Sequence, residues 1–397
     1  MHNPGRTRQQ HLLRRRPALA LAVLLSLTLS VLGPTRMAAE GPPSGLQGTM
    51  RDIFQALTAV FPRSLNVEQF QDPAQHTHIL AALRALAHHA GGLPTHGQGV
   101  PRYLDFLRSA LANDAQQALH RYEHGQYQAA QFALHHLTEH CFACHAKLPP
   151  PQRFALGQQF LAEIPLSSLP LKERARLAVA TRQFQTALEI YETLFQSPAI
   201  EAGEIGLMGA FEDYLKIVLR VENDFMRAFL TLETFRQRPD VPAYLTAYTA
   251  SWVEALKELQ AVEAPDEALP YARTLIRAGQ GRNRFPSDRL GLVHFVMASS
   301  LLHRYVDTGS VQGPLLAEAY YLLGVAESYI SRSLWVSETA FFLETAIHLA
   351  PKSVHARQAY AFLEQYVLAG YTGSAGLHLP ADVRVHLAEL RRLLDGS

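Results

Sequence analysis

The sequence predicts an all-α protein in which a four-helix bundle is followed by a longer helical array. Apolar residues recur at intervals of three and four along the chain, and strand-like alternation nowhere lasts beyond a few residues. Prolines and glycines punctuate the periodic stretches at places where helices start and stop. At 397 residues the chain has room for two or three domains. With 48% apolar residues and no excess of glycine or proline, folded globular structure is expected.

The N-terminus reads "HLLRRRPALALAVLLSLTLSVLGPTRMAAEGPPS". Arg14 to Arg16 precede an apolar run from Ala18 to Leu32, and the small residues Ala38 and Ala39 follow. A basic start, a run too short to span a bilayer comfortably and a small-residue site predict a signal peptide over residues 1–39. The expected location is therefore the periplasm. Met37 stands at the −3 place for cleavage after Ala39, so an uncleaved inner-membrane anchor stays open as an alternative. No cysteine follows the run, which excludes a bacterial lipoprotein. Without residues 1–39, which hold six arginines and no acid, 30 basic residues face 35 acidic ones, a net charge of −5. That balance argues against nucleic acid as a partner.

Helix by helix, "MRDIFQALTAVF" sets Met50, Ile53, Phe54 and Leu57 on one stripe. "DPAQHTHILAALRALAHHAGG" carries a proline just inside its start and a Gly-Gly stop. After Pro101, "RYLDFLRSALANDAQQALHRYEHG" runs to Gly125, and the fourth helix extends from about Gln126 to Leu148, where three prolines halt it. Short connections between four amphipathic helices predict a bundle over residues 40–150.

Residues 151–397 are expected to form a helical-repeat domain. "AEAYYLLG" (317–324) with "ETAFFLETAIHLAP" (338–351) resembles one tetratricopeptide unit, with small residues where two helices touch and a proline ending the second. "ARLAVATRQFQTALEIYETLFQSP" (175–198) is similar to a more degenerate copy, with Phe184, Ala187 and Tyr191 at packing positions. "SVHARQAYAFLEQYVLAG" continues the array, while residues 203–306 are helical in pattern without fitting the repeat. A final helix after Pro380 carries Leu387, Leu390 and Leu394, which suit a cap on the array.

The chain holds two cysteines, both in "LHHLTEHCFACHAKLPPP". Cys141, Cys144 and His145 form Cys-x-x-Cys-His, the attachment sequence of one covalent haem c. Two thiols add to the porphyrin vinyl groups and the histidine binds the iron. On a helix the three residues fall on one side, in line with Leu134 and Leu137 and facing the bundle. A redox dithiol opens its helix after a strand, whereas this pair lies near a helix end with no strand before it. Helical cysteines three apart pair poorly as a disulfide, and two cysteines with one histidine fall a ligand short of a closed zinc site.

Helix order, glycine-bounded loops and the late motif make residues 48–148 similar to the cytochrome c-prime and cytochrome c-556 family of periplasmic four-helix-bundle c-type cytochromes. The resemblance implies His145 as proximal iron ligand and Met50 as distal ligand. The family carries an arginine one turn before that methionine, where this chain has Leu46, and Arg51 is the substitute at the haem propionates. Eleven of the nineteen histidines lie from His76 to His145, and a histidine among them is the alternative to Met50.

The implied function is electron transfer with an unidentified redox partner protein, the helical-repeat domain providing the docking surface. Three alternatives remain: binding of nitric oxide or carbon monoxide at a haem without a sixth ligand, a scaffold in which haem is mainly structural, and peroxidase-like catalysis, which would need a distal base and an open iron face. No nucleophile–base constellation or phosphate loop is present, so an electron carrier is expected rather than an enzyme. Bundle cytochromes of this kind often form homodimers, but no exposed seam here marks one.

Overall fold

The computed structural model describes residues 45–93, 102–147, 155–260, 267–285, 287–309, 311–331, 338–374 and 376–396. The expected signal over residues 1–39 lies outside them. Among the described residues the protein is almost entirely helical, as the periodicity predicts.

Helix α1 (Gly45–Ser64) buries Ile53, Phe54, Leu57, Val60 and Phe61, all spaced three or four apart on one stripe. A short α2 (Val67–Gln71) follows, invisible to a periodicity reading because five residues show no period. Asn66 starts it by accepting the Gln69 N–H at 3.1 Å, and buried Phe70 seats it. α3 (His76–Gly91) and α4 (Arg102–Glu123) come next, and Gly125 turns the chain at φ +72° into α5 (Tyr127–His145). α1 packs on α3, α3 on α4 and α4 on α5, whereas α1 and α5 touch only sparsely.

α6 (Ala155–Glu163) crosses back to α1, and α7 (Leu171–Ala180) packs along α5 and against α8 (Phe184–Gln196). The α7–α8 turn passes through Arg182 at φ +57°. Phe184, Ala187 and Tyr191 are buried, as their packing positions require. α9 (Ala202–Leu207) and α10 (Ala210–Leu215) lead into a π-helical turn over Lys216–Val221. Then come α11 (Phe225–Arg236), α12 (Ala243–Gln260), α13 (Ala268–Arg282), α14 (Leu292–Asp307), α15 (Gly313–Ile330), α16 (Glu338–Leu349) and α17 (Val354–Gly370). From α13 onward each helix packs mainly on its chain neighbours. Gly324 in α15 permits a close approach of α16: a Cβ there would lie 2.6 Å from the Leu343 side chain. A two-residue hairpin, β1 (Thr372–Gly373) with β2 (Gly376–Leu377), precedes α18 (Ala381–Asp395), which buries Leu387 and Leu390 against α16 and α17.

The apolar interior forms two clusters. One gathers α1, α3, α4 and α5 with Phe160, Ile164 and Leu177 from α6, its following turn and α7. The other fills α7 to α18 and also takes in Tyr103, Leu107, Phe142 and Ala146 from the ends of α4 and α5. The change of core thus runs through α4, α5 and α7 rather than through the proline stretch near residue 150, and residues 44–397 form one compact unit. Phe106 stacks on Phe341 with centroids 4.6 Å apart, worth about 0.5–1.5 kcal/mol beyond burial. Tyr103 donates to Asp307 at 3.3 Å.

No described helix is long and apolar enough to cross a membrane.

Candidate functional site

α5 is covered on several sides, and each side meets a different environment. Toward the bundle, Cys141 lines an apolar cavity with Met50, Phe54, Leu137, Phe160 and Ala180. Among the described residues Thr138 brings the one hydroxyl to that lining, and the free space at the centre is about 20 Å³, enough for about one water. Met50 thus reaches from the first turns of α1 to the same cavity as Cys141.

One turn on, Cys144 is half-buried against the second core rather than in the cavity. Its thiol lies among Tyr103, Lys147, Glu338 and Arg182. His145 is buried and turned toward the carbonyls of Val179 and Ala180 at the end of α7, and its Nδ1 has no hydrogen-bond partner among the described residues. Cys141 and Met50 therefore share a cavity, while Cys144 and His145 flank it on the same helical turn. Arg51 is half-buried beside Met50 with an unpartnered Nε, an orphaned donor of the kind a propionate carboxylate satisfies.

The two cysteines are free. Burial, and the proximity of Cys144, push the Cys141 thiol up to about 12. Burial pushes Cys144 up to about 11, with Lys147 opposing. Both are neutral thiols at pH 7, the reverse of the lowered values of a redox dithiol. Burial, assisted by Arg182, holds His145 down at about 4, so its imidazole is neutral, the form that binds a metal. The residues present fit a covalently tethered haem in their chemistry: two unpaired thiols, a neutral imidazole with a free ring nitrogen and a thioether across an apolar cavity.

The other histidines of this region have different settings. His140 bonds Asp114 of α4 at 2.7 Å, His135 lies 3.0 Å from Ser64 Oγ, and His89 is 3.7 Å from Asp52. None lines the Cys141 cavity. Among the described residues no cluster of three or more His, Cys, Asp or Glu side chains is placed to hold a metal ion.

The opposite face of α5 borders a second cavity, of about 540 Å³, which the sequence reading did not find. Phe142, Ala143 and Ala146 form one wall, and the π-helical turn brings Lys216 and Arg220 to another. Lys147 pairs with Glu338 at 2.7 Å, Arg176 with Glu139 at 3.1 Å and with Asp213 at 3.0 Å. Arg220 pairs with Glu327 at 3.1 Å, and Arg289 lies 4.0 Å from Glu212. Burial raises Asp213, but Arg176, Lys216 and Lys172 together hold it below the usual carboxylate range. The available signal was "FEDYLKIVLRV", which sets four charges into an otherwise apolar helix; their partners lie too far along the chain for any local pattern to show.

Comparison with protein-family models, curated proteins and solved structures gives no match for this chain.

Proposed function

We propose that this chain is an exported mono-haem c-type cytochrome that transfers electrons, with the haem tethered through Cys141 and Cys144 and His145 as its proximal ligand. The observation that carries the reading is the motif in its setting: the only two cysteines of the sequence, unpaired, on one turn of α5 with His145, and Cys141 opening onto an apolar cavity that Met50 also lines. When bound, haem supplies a one-electron iron couple whose potential the axial ligands and the burial of the site set.

The protein's own residues supply the rest. With haem bound, the apolar lining would exclude water and favour the less charged iron state. Met50 is the distal ligand in this reading, and Arg51 offers its unpartnered Nε to a propionate. The chain-order packing of α1, α3, α4 and α5 supports the four-helix bundle of the cytochrome c-prime and cytochrome c-556 family. Neighbour-to-neighbour packing of α13 to α17, with Gly324 against Leu343, supports a tetratricopeptide-like array, which in this reading docks the redox partner. Periplasmic location follows from the expected signal over residues 1–39.

The test is expression with its own N-terminus in cells that mature c-type cytochromes. The expected product is coloured and periplasmic, and exceeds the processed polypeptide mass by one haem under denaturing conditions. Cys141→Ala and Cys144→Ala each weaken covalent retention. Colourless, correctly exported protein of bare polypeptide mass refutes the proposal.

A further inference from the structure

The cavity on the far face of α5 has the size of a small-molecule site. At about 30 Å³ per water, its volume corresponds to on the order of twenty waters, far more than a lone inorganic ion fills. Its charges do not cancel locally. Each of the five carboxylates on its wall has a basic partner within 4.0 Å, as described above. The lysines are not all matched in return. Lys172 Nζ donates to the Met208 carbonyl and, among the described residues, pairs with no carboxylate within that distance. Among the described residues, the Lys216 ammonium makes neither a hydrogen bond nor an ion pair. The Phe142 ring centroid lies 5.7 Å from its Nζ. Burial pulls both lysines below their ordinary range, with Asp213 only partly compensating.

A second observation marks the same place. Lys216 opens the π-helical turn over Lys216–Val221 and Arg220 lies within it, so that both line the cavity. Such turns are rare and concentrate at functional sites, because the wider turn re-aims side chains that a regular helix would space differently. The same wall has an apolar half: Phe142, Ala143, Leu207 and Met208.

The geometry points to a binding site for a small organic anion, its carboxylate or phosphate head held by Lys216 and Lys172 and its short apolar body against Phe142 and Met208. A cation is disfavoured because no carboxylate is left without a basic partner. The inference does not depend on haem, since the cavity lies on the face of α5 away from Cys141.

The test is calorimetric titration of the full exported chain with four probes: hexanoate, hexyl phosphate, hexylammonium and inorganic phosphate. The expected result is binding of hexanoate or hexyl phosphate at one site per chain with Kd below about 1 mM, no binding of hexylammonium, and weaker binding of inorganic phosphate. Lys216→Met weakens the anion at least tenfold, while Lys257→Met, remote from the cavity, leaves it unchanged. Without any probe, Lys216→Met keeps or raises the thermal midpoint, because it removes an unpaired charge from a buried place. The inference is overturned if neither organic anion binds, if hexylammonium binds equally, if inorganic phosphate binds as tightly as the organic probes, or if Lys216→Met leaves affinity intact. A lowered midpoint for probe-free Lys216→Met overturns it as well, since that result makes Lys216 a structural cation.

Discussion

Lys147 Nζ lies 2.7 Å from Oε1 and 2.8 Å from Oε2 of Glu338, with the two side chains 2% and 11% exposed. Lys147 stands two residues after His145, and Glu338 is the first residue of α16. The pair therefore ties the end of α5 to the helical array. Removing one partner strands a buried charge, which costs about 3–5 kcal/mol, well above the ~0–1 kcal/mol of exposed pairs. Glu338→Ala is expected to lose that much in urea unfolding, and Lys147→Met with Glu338→Leu to recover most of it. A loss under about 1 kcal/mol for the single variant would show that the pair does not clamp the two parts.

Gly324→Ala tests the packing of the array. A methyl group at this position meets the Leu343 side chain at 2.6 Å, closer than real Cβ atoms come, so α15 or α16 must shift. Overpacking of this kind costs about 1–3 kcal/mol. Adding Leu343→Ala to Gly324→Ala is expected to cost less than the sum of the two single changes, because the second opens space for the first. Strict additivity in thermal or urea unfolding would contradict direct helix–helix contact at this point.

The helices of this protein are legible because their apolar stripes are local. Ile53, Phe54, Leu57 and Val60 fix the buried face of α1 within eight residues, and Gly125 fixes the end of the α4 turn. What escaped is non-local or short. α2 depends on one cap and one buried phenylalanine, and the 540 Å³ cavity is assembled from residues between Glu139 and Glu338. The site shows the same division. Cys141, Cys144 and His145 stand out as a pattern, and helical spacing correctly puts Cys141 toward the bundle. Spacing could not foresee that Tyr103 and Glu338 close over Cys144, or that α7 covers His145, because those residues come from other helices.

Acid is expected to destabilise the array through His303 and His294. Burial holds His303 at about 3 although Glu327 lies 3.8 Å from its Nε2, and burial with Arg282 holds His294 at about 4. In the unfolded chain both titrate near ~6.5. Below that pH the unfolded state takes up protons that the folded state refuses. Stability is therefore complete above about pH 6.5 and falls by about 1.4 kcal/mol per pH unit for each histidine down to the folded values. Urea midpoints from pH 7.5 to 4.5 check this, and His303→Gln is expected to remove about half of the slope. A midpoint unchanged between pH 7 and 5 would rule it out.

Met50→Ala separates electron transfer from gas binding in the haem-loaded protein. With Met50 as distal ligand, the oxidised protein is low-spin and shows a methionine–iron charge-transfer band. The variant loses that band, becomes high-spin and gains carbon monoxide affinity. A high-spin resting spectrum in the unaltered protein would remove Met50 from the iron and favour the gas-binding reading, and a band surviving in the variant would assign the sixth position to another residue.

Haem is expected to enter before the chain closes. In the folded protein both cysteines are half-buried, with thiols pushed up to about 12 and 11, and the cavity beside Cys141 has room for about one water. Thioether formation needs a porphyrin vinyl group within bonding reach of each sulfur, and beside Cys141 no such group fits between α1, α5 and α7 as they stand. Haem added to folded, haem-free chain should therefore remain removable by acid–acetone extraction, whereas maturation during export should give haem that resists it. Leu57→Ala opens the lining by removing a buried side chain that borders the cavity, a change that costs about 2–5 kcal/mol. If burial is what delays attachment, that variant accepts haem after folding faster than the unaltered chain does. Equal and rapid covalent attachment to both folded forms would show that α1 and α5 part readily, and that closure of the cavity does not set the order of assembly.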